Sequence, residues 1–151
     1  MRLISIAAAA ATVALPIFAH ADQKEDVLEA RHGYMKMLSV NMATLAGMAK
    51  GEIEYDEAAA STAGANLEAL SQYDLPALFI EGTAHGELDD SDALPAIWEK
   101  PEEFGTKYAA FAEAAAGASE AVKGGQANVG PLLQKLGGAC KDCHDDFRAK
   151  E

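Results

Sequence analysis

Near the C-terminus of this 151-residue chain runs Cys140-Lys141-Asp142-Cys143-His144. Two thiols at this spacing, followed at once by an imidazole, suit one uncommon chemistry. The thiols add across the vinyl groups of a porphyrin, and the histidine supplies an axial nitrogen to its iron. The run therefore reads as an attachment site for a c-type haem. Other uses of the pair fit less well. A disulfide-exchange pair usually accompanies a βαβ pattern, and the sequence has none. A zinc site needs four ligands, whereas the chain has two cysteines, and His20, His32 and His85 lack finger spacing. A haem-free Cys-x-x-Cys thiol oxidoreductase and a plain structural disulfide stay open as alternatives. Only seven residues, Asp145 to Glu151, follow the motif. The opposite face of the haem is therefore expected to be covered by residues from earlier in the chain.

If the motif is helical, about 3.6 residues per turn put Cys140, Cys143, His144 and Phe147 on one face. A single face can then grip the haem edge, ligate the iron and set an aromatic ring beside it. The imidazole must be neutral to bind metal, so ligation is linked to protons. On the same geometry Val27, Arg31, Met35, Leu38, Met42 and Leu45 form a stripe on a first helix. Arg31 is the odd member, because burying an unpaired guanidinium costs roughly several kcal/mol. It needs a haem propionate, which matches arginine by bidentate hydrogen bonds, an Asp or Glu partner, or a route to water from the end of the stripe. Met35, one turn further on, can ligate the iron through its thioether or simply pack. His32 lies off the stripe and His85 in a polar loop, so both read as solvated. Without a distal acid–base pair, a haem enzyme is the weaker reading. Trp98, Phe104, Tyr108 and Phe111 are packing residues able to line a haem pocket. Arg148, one turn after His144, can orient the proximal side.

The elements that must carry these groups are helices. The chain after residue 21 is rich in Ala, Leu, Met, Glu and Lys and shows no useful period-2 strand pattern. A first helix is expected over Lys24 to Lys50, ended by Gly51, and a second from Asp56 as N-cap to about Tyr73. Asp74-Leu75-Pro76 closes it. The connection from Leu75 to about Leu94 is long enough to be functional or to cover a ligand. Ser91 or Asp92 should cap a short turn through Trp98. A third helix, with Pro101 in its first turn, should run to about Lys123 and stop at Gly124-Gly125. Asn128 is the candidate N-cap of a fourth, which carries the motif to about Lys150. The fold class expected is all-α, an antiparallel four-helix bundle with its cofactor near the C-terminal helix.

Residues 1–21 read as a secretory signal. Arg2 gives the positive end, Leu3 to Phe18 the apolar core, and Ala19-His20-Ala21 the small-x-small cleavage site. A membrane anchor is disfavoured because the apolar run is short and contains Pro16. Residues 22–151 then form a single domain in an oxidising compartment. Arg2 is the only charged residue of 1–21, so cleavage takes the net charge from −12 to −13. Such acidity argues against nucleic acid and anionic membranes as partners. The identity of any redox partner is not legible.

Several stretches together resemble the class II c-type cytochromes, the cytochrome c′ and cytochrome c-556 group. They are Ala30-Arg31-His32-Gly33-Tyr34-Met35-Lys36, Met48-Ala49-Lys50-Gly51, Leu78-Phe79-Ile80-Glu81-Gly82-Thr83, Ala96-Ile97-Trp98, and Leu136 through Arg148. The resemblance spans essentially the whole of residues 22–151 in the same order, and the last stretch is the specific one. It implies a periplasmic four-helix bundle, frequently a homodimer, with one covalent haem c between the helices. It also implies that Arg31 contacts a propionate and that His32, Asp92 and Ala93 border the haem. Arg148 would lie beside the axial His144. At the place of Met35 the family divides. Cytochromes c′ block the distal face with a non-ligating side chain and keep a five-coordinate iron that binds NO or CO. The low-spin c-556 branch ligates with methionine and carries electrons. Methionine at this place leaves both readings open, the gas-binding protein leading.

Overall fold

A computed structural model describes residues 19–150. The export segment expected at 1–21 lies almost wholly outside the described residues. Four long helices dominate: α1 (Ala19–Lys50), α2 (Glu57–Ser71), α4 (Pro101–Ala115) and α6 (Val129–Phe147). Two short ones, α3 (Ala96–Glu99) and α5 (Ala118–Ala121), sit in the connections, with 3₁₀ turns at Leu75–Leu78 and Gln126–Asn128. Among the described residues there is no strand, and no helix is long and apolar enough to cross a membrane. In the bundle α1 packs on α2 and α6, and α4 packs on α2 and α6. The first and last long helices are thereby neighbours.

Local chemistry explains most of the boundaries. Gly51 ends α1 with φ +73°, a conformation glycine adopts without a Cβ clash. The Asp56 carboxylate accepts from the Ala59 amide at 2.7 Å and starts α2. Pro101 opens α4, where its missing N–H has no intrahelical partner to lose.

Four expectations need correcting. First, α1 begins at Ala19 rather than Lys24. Second, the third helix does not reach Lys123. Ala116 leaves the helix with ψ 125°, and Gly117 takes φ +74°. Tertiary contact overrides a good helical run here: α5 lies so close to α2 that Gly64 faces the Ala118 backbone, and the Glu68 carboxylate accepts from the Ser119 amide and hydroxyl. Third, Asn128 precedes α6 but does not cap it. The preceding 3₁₀ turn holds it at helical φ/ψ, and its amide donates to the Lys123 carbonyl at 2.5 Å instead. Fourth, Ser91 does not cap the turn through Trp98, since α3 starts after Pro95 and the Ser91 hydroxyl donates to the Thr83 carbonyl at 2.7 Å.

The core divides into two clusters. The larger is built from Leu45, Leu67, Phe111, Val122, Val129, Leu132 and Leu136, most of them fully buried, with Cys140 packed at its edge. The smaller holds Ile97, Phe104 and Phe147, with Phe79, Trp98 and Cys143 against it. Its rings meet edge-on, Phe79 to Phe104 at 4.9 Å and Phe104 to Phe147 at 5.3 Å between centroids, an arrangement that aromatic quadrupoles favour. The two cysteines thus touch different clusters.

Candidate haem site

Between the clusters lies a cavity of about 540 Å³, within the range of cofactor sites. α6 contributes Cys140, Cys143 and His144 to its wall; α1 contributes Arg31, Met35, Leu38 and Met42 from across the bundle. His32, Asp92, Ala93 and Arg148 also line it. The structure therefore brings together nearly all the residues that spacing and resemblance singled out. Trp98 is not in the lining. Its indole N–H donates to the Phe79 carbonyl at 3.0 Å and its ring rests edge-on against Phe79, so it buttresses the wall from behind.

The α6 face is as the spacing predicts. Cys140 and Cys143 carry free thiols and are half-buried. Burial pushes the Cys140 thiol up, and burial followed by the neighbouring Cys140 sulfur pushes Cys143 up to about 11. Burial, and then the Arg148 charge, lower the His144 pKa and keep its ring neutral, the form that binds metal. Among the described residues no three His, Cys, Asp or Glu side chains converge as a metal-ion set.

Arg31 is only 4% exposed, so it does not reach water. Nor do the ion pairs of the described residues include it. Its Nη2 donates to the Thr83 carbonyl at 3.2 Å, and its guanidinium carbon stands 4.7 Å from the Phe79 ring centre. Nε and Nη1 are buried without any hydrogen-bond partner. Burial lowers its pKa. Two orphaned donors of a buried cation beside an apolar cavity are the complement of a carboxylate. A haem propionate supplies that group, so the residues present fit the cofactor.

The loop before α3 is tied to the end of α6. Ala93 and Arg148 form an isolated antiparallel bridge, the Leu94 amide donates to the Phe147 carbonyl at 3.0 Å, and the Ala149 amide to the Asp92 carbonyl at 2.8 Å. These bonds set Asp92, Ala93 and Arg148 side by side at the rim. Ser91 and Arg31 both donate to the Thr83 carbonyl, which joins the same loop to α1.

Tyr34 and Lys107 are among the wall residues that were not singled out as site residues from the sequence. Tyr34 lies behind Arg31 on α1; its hydroxyl donates to the Leu70 carbonyl at 2.9 Å and meets the Tyr108 hydroxyl at 3.1 Å. The Tyr108 hydroxyl donates in turn to the Tyr73 carbonyl at 2.5 Å. These bonds satisfy carbonyls at the C-terminal end of α2. Burial, then the Tyr108 hydroxyl, hold Tyr34 well above the ordinary tyrosine range. The i+3 spacing from Arg31 is a signal that could have found it. Lys107 is the other, signalled by the paired acids Asp142 and Asp146 one turn apart around His144.

Comparison with known proteins matches most of the chain. Residues 26–148 match the family described as Cytochrome C′. The chain is 43% identical over 140 residues to a cytochrome c-554 of Cereibacter sphaeroides, covering 92% of each. It is 32% identical over 153 residues to a cytochrome c-556 of Rhodopseudomonas palustris, covering 100% of this chain and 99% of the relative. A solved structure of cytochrome c′ from Rhodobacter Spheriodes superposes with a TM-score of 0.80 at 41% identity, over 85% of this chain and 98% of that one.

Proposed function

The chain belongs to the cytochrome c′ family, and on that premise we propose that it is a periplasmic haem c protein that exchanges single electrons and binds small gases such as NO or CO. Cys140 and Cys143 would tether the haem and His144 would ligate its iron. When bound, the group would supply one-electron iron redox and a place for a small gas. The chain's own residues do the rest. Arg31 directs its two free donors at a propionate. Met35, Leu38 and Met42 screen the distal side from water. Burial keeps His144 in the neutral form that ligation needs. The observation that carries this reading is the orphaned Nε and Nη1 of Arg31, buried beside the cavity that also holds the two thiols and His144.

A second reading follows from Met35, which lines the same cavity from α1, and from the likeness of the whole chain to a relative named cytochrome c-556. There its thioether is the sixth ligand and the protein carries electrons only. Spin state before and after Met35→Ala separates the two. Under the leading reading both proteins are high-spin. A low-spin parent that becomes high-spin on substitution establishes the second reading. The thiol oxidoreductase alternative is disfavoured by its own chemistry. Such cysteines act as thiolates and have lowered pKa values, whereas both here are raised. Two exposed apolar side chains on α1, Met37 (50%) and Val40 (55%), support assembly as a homodimer.

A further inference from the structure

Lys107 has no part in the haem contacts proposed above. It lies on α4, it lines the cavity, and its side chain is 20% exposed. Its ammonium stands 2.7 Å from the Asp142 carboxylate and 3.1 Å from that of Asp146. These two acids are one helical turn apart on α6 and bracket Cys143 and His144 in sequence. Two carboxylates at that spacing repel, and both sit in the last turns of a helix, where the macrodipole disfavours anions. The lysine on this part of α6 itself, Lys141, is paired with Asp145. Lys107 is thus the cation that balances Asp142 and Asp146, and it reaches them from a different helix.

We propose that Lys107 is a positioning residue that fastens the haem-bearing turn of α6 to α4 and raises the reduction potential of the iron by offsetting the charge of Asp142 and Asp146. The proposal rests on Cys140, Cys143 and His144 being the haem anchor. Reduction adds one electron at the iron, taken from an external donor. Uncompensated carboxylates near the haem oppose that step, and an ammonium in the cavity wall favours it. The acids are substantially exposed, so solvent screens the effect in part. With Lys107 and both acids charged the cluster carries −1. Removing the lysine makes it −2, neutralising both acids makes it +1, and doing both makes it zero.

The test is potentiometric titration of the haem-loaded protein. We expect potentials in the order Lys107→Met, wild type, Lys107→Met with Asp142→Asn and Asp146→Asn, and finally Asp142→Asn with Asp146→Asn, from lowest to highest. Lys107→Arg should keep the wild-type value. A bond that merely braced the bundle would change thermal stability without producing this ranking. A Lys107→Met protein that retains covalent haem and a potential at or above wild type overturns the proposal. Should that variant not accumulate folded, the double asparagine variant decides alone, and a potential at or below wild type overturns it. A pyridine haemochrome assay on the wild type keeps the premises apart. No covalent haem removes the anchor and this proposal together; covalent haem with the wrong order removes this proposal only.

Discussion

Single residues carry the chemistry through the cost of burying them. The thiols of Cys140 and Cys143 are held neutral by burial, Cys143 with a pKa pushed up to about 11. In haem-free protein, alkylation of Cys143 should therefore stay slow at pH 8 to 9 and accelerate only toward pH 11, as followed by mass spectrometry. Unfolded chain loses these protons earlier, near pH 8.5. It binds fewer protons than folded chain between the two values, so haem-free stability should fall as pH rises through that window. Arg31 makes a sharper prediction. In haem-free protein its unpaired donors are a burden, so Arg31→Met should be neutral or stabilising by about 1 kcal/mol. In haem-loaded protein the same change removes a charged contact and should destabilise by about 2 kcal/mol. Chemical denaturation of both forms reads the sign; the same sign in each contradicts propionate binding. The sequence exposed Arg31 as a charge in an apolar stripe, because a periodicity argument finds such misfits. It could not exclude a carboxylate partner or a route to water, since both depend on what other helices bring near. Trp98 illustrates the limit. Its type and neighbours suit a haem wall, but a carbonyl in a distant loop claims its N–H.

At the scale of elements, the helix end at Gly51 and the helix starts at Asp56 and Pro101 were legible, because each acts on its own few bonds. The break after Ala115 was not. Propensity favours continuing an alanine-rich helix, and only the approach of α5 to α2 stops it. That approach predicts a severe effect for a small change. A Cβ on Gly64 would stand 2.7 Å from the Ala118 carbonyl and the Ser119 nitrogen. Backbone cannot yield as a side-chain tip does, so Gly64→Ala should cost roughly 1–3 kcal/mol and lower the melting temperature of the haem-free protein. An unchanged melting temperature would refute the close contact. The long connection before α3 was expected to cover a ligand, and its rim residues do line the cavity. Their fastening to the end of α6 was invisible, because those backbone bonds carry no side-chain signature.

Across the whole molecule, the bundle makes α1 the neighbour of α6, and α1 forms the cavity wall that faces the motif. The cavity persists because the core is divided into two clusters, one gripping Cys140 and the other Cys143. Burial among apolar side chains then leaves a neutral His144 on one side and a screen of Met35, Leu38 and Met42 on the other. Whether the Met35 sulfur meets the iron is the point at which family likeness divides, and light absorption reads it directly. The decisive measurement is the spectrum of the reduced protein before and after addition of CO. The account predicts a covalently bound, high-spin haem whose bands shift when CO takes the open axial position. A sharp low-spin spectrum that CO leaves unmoved would contradict it.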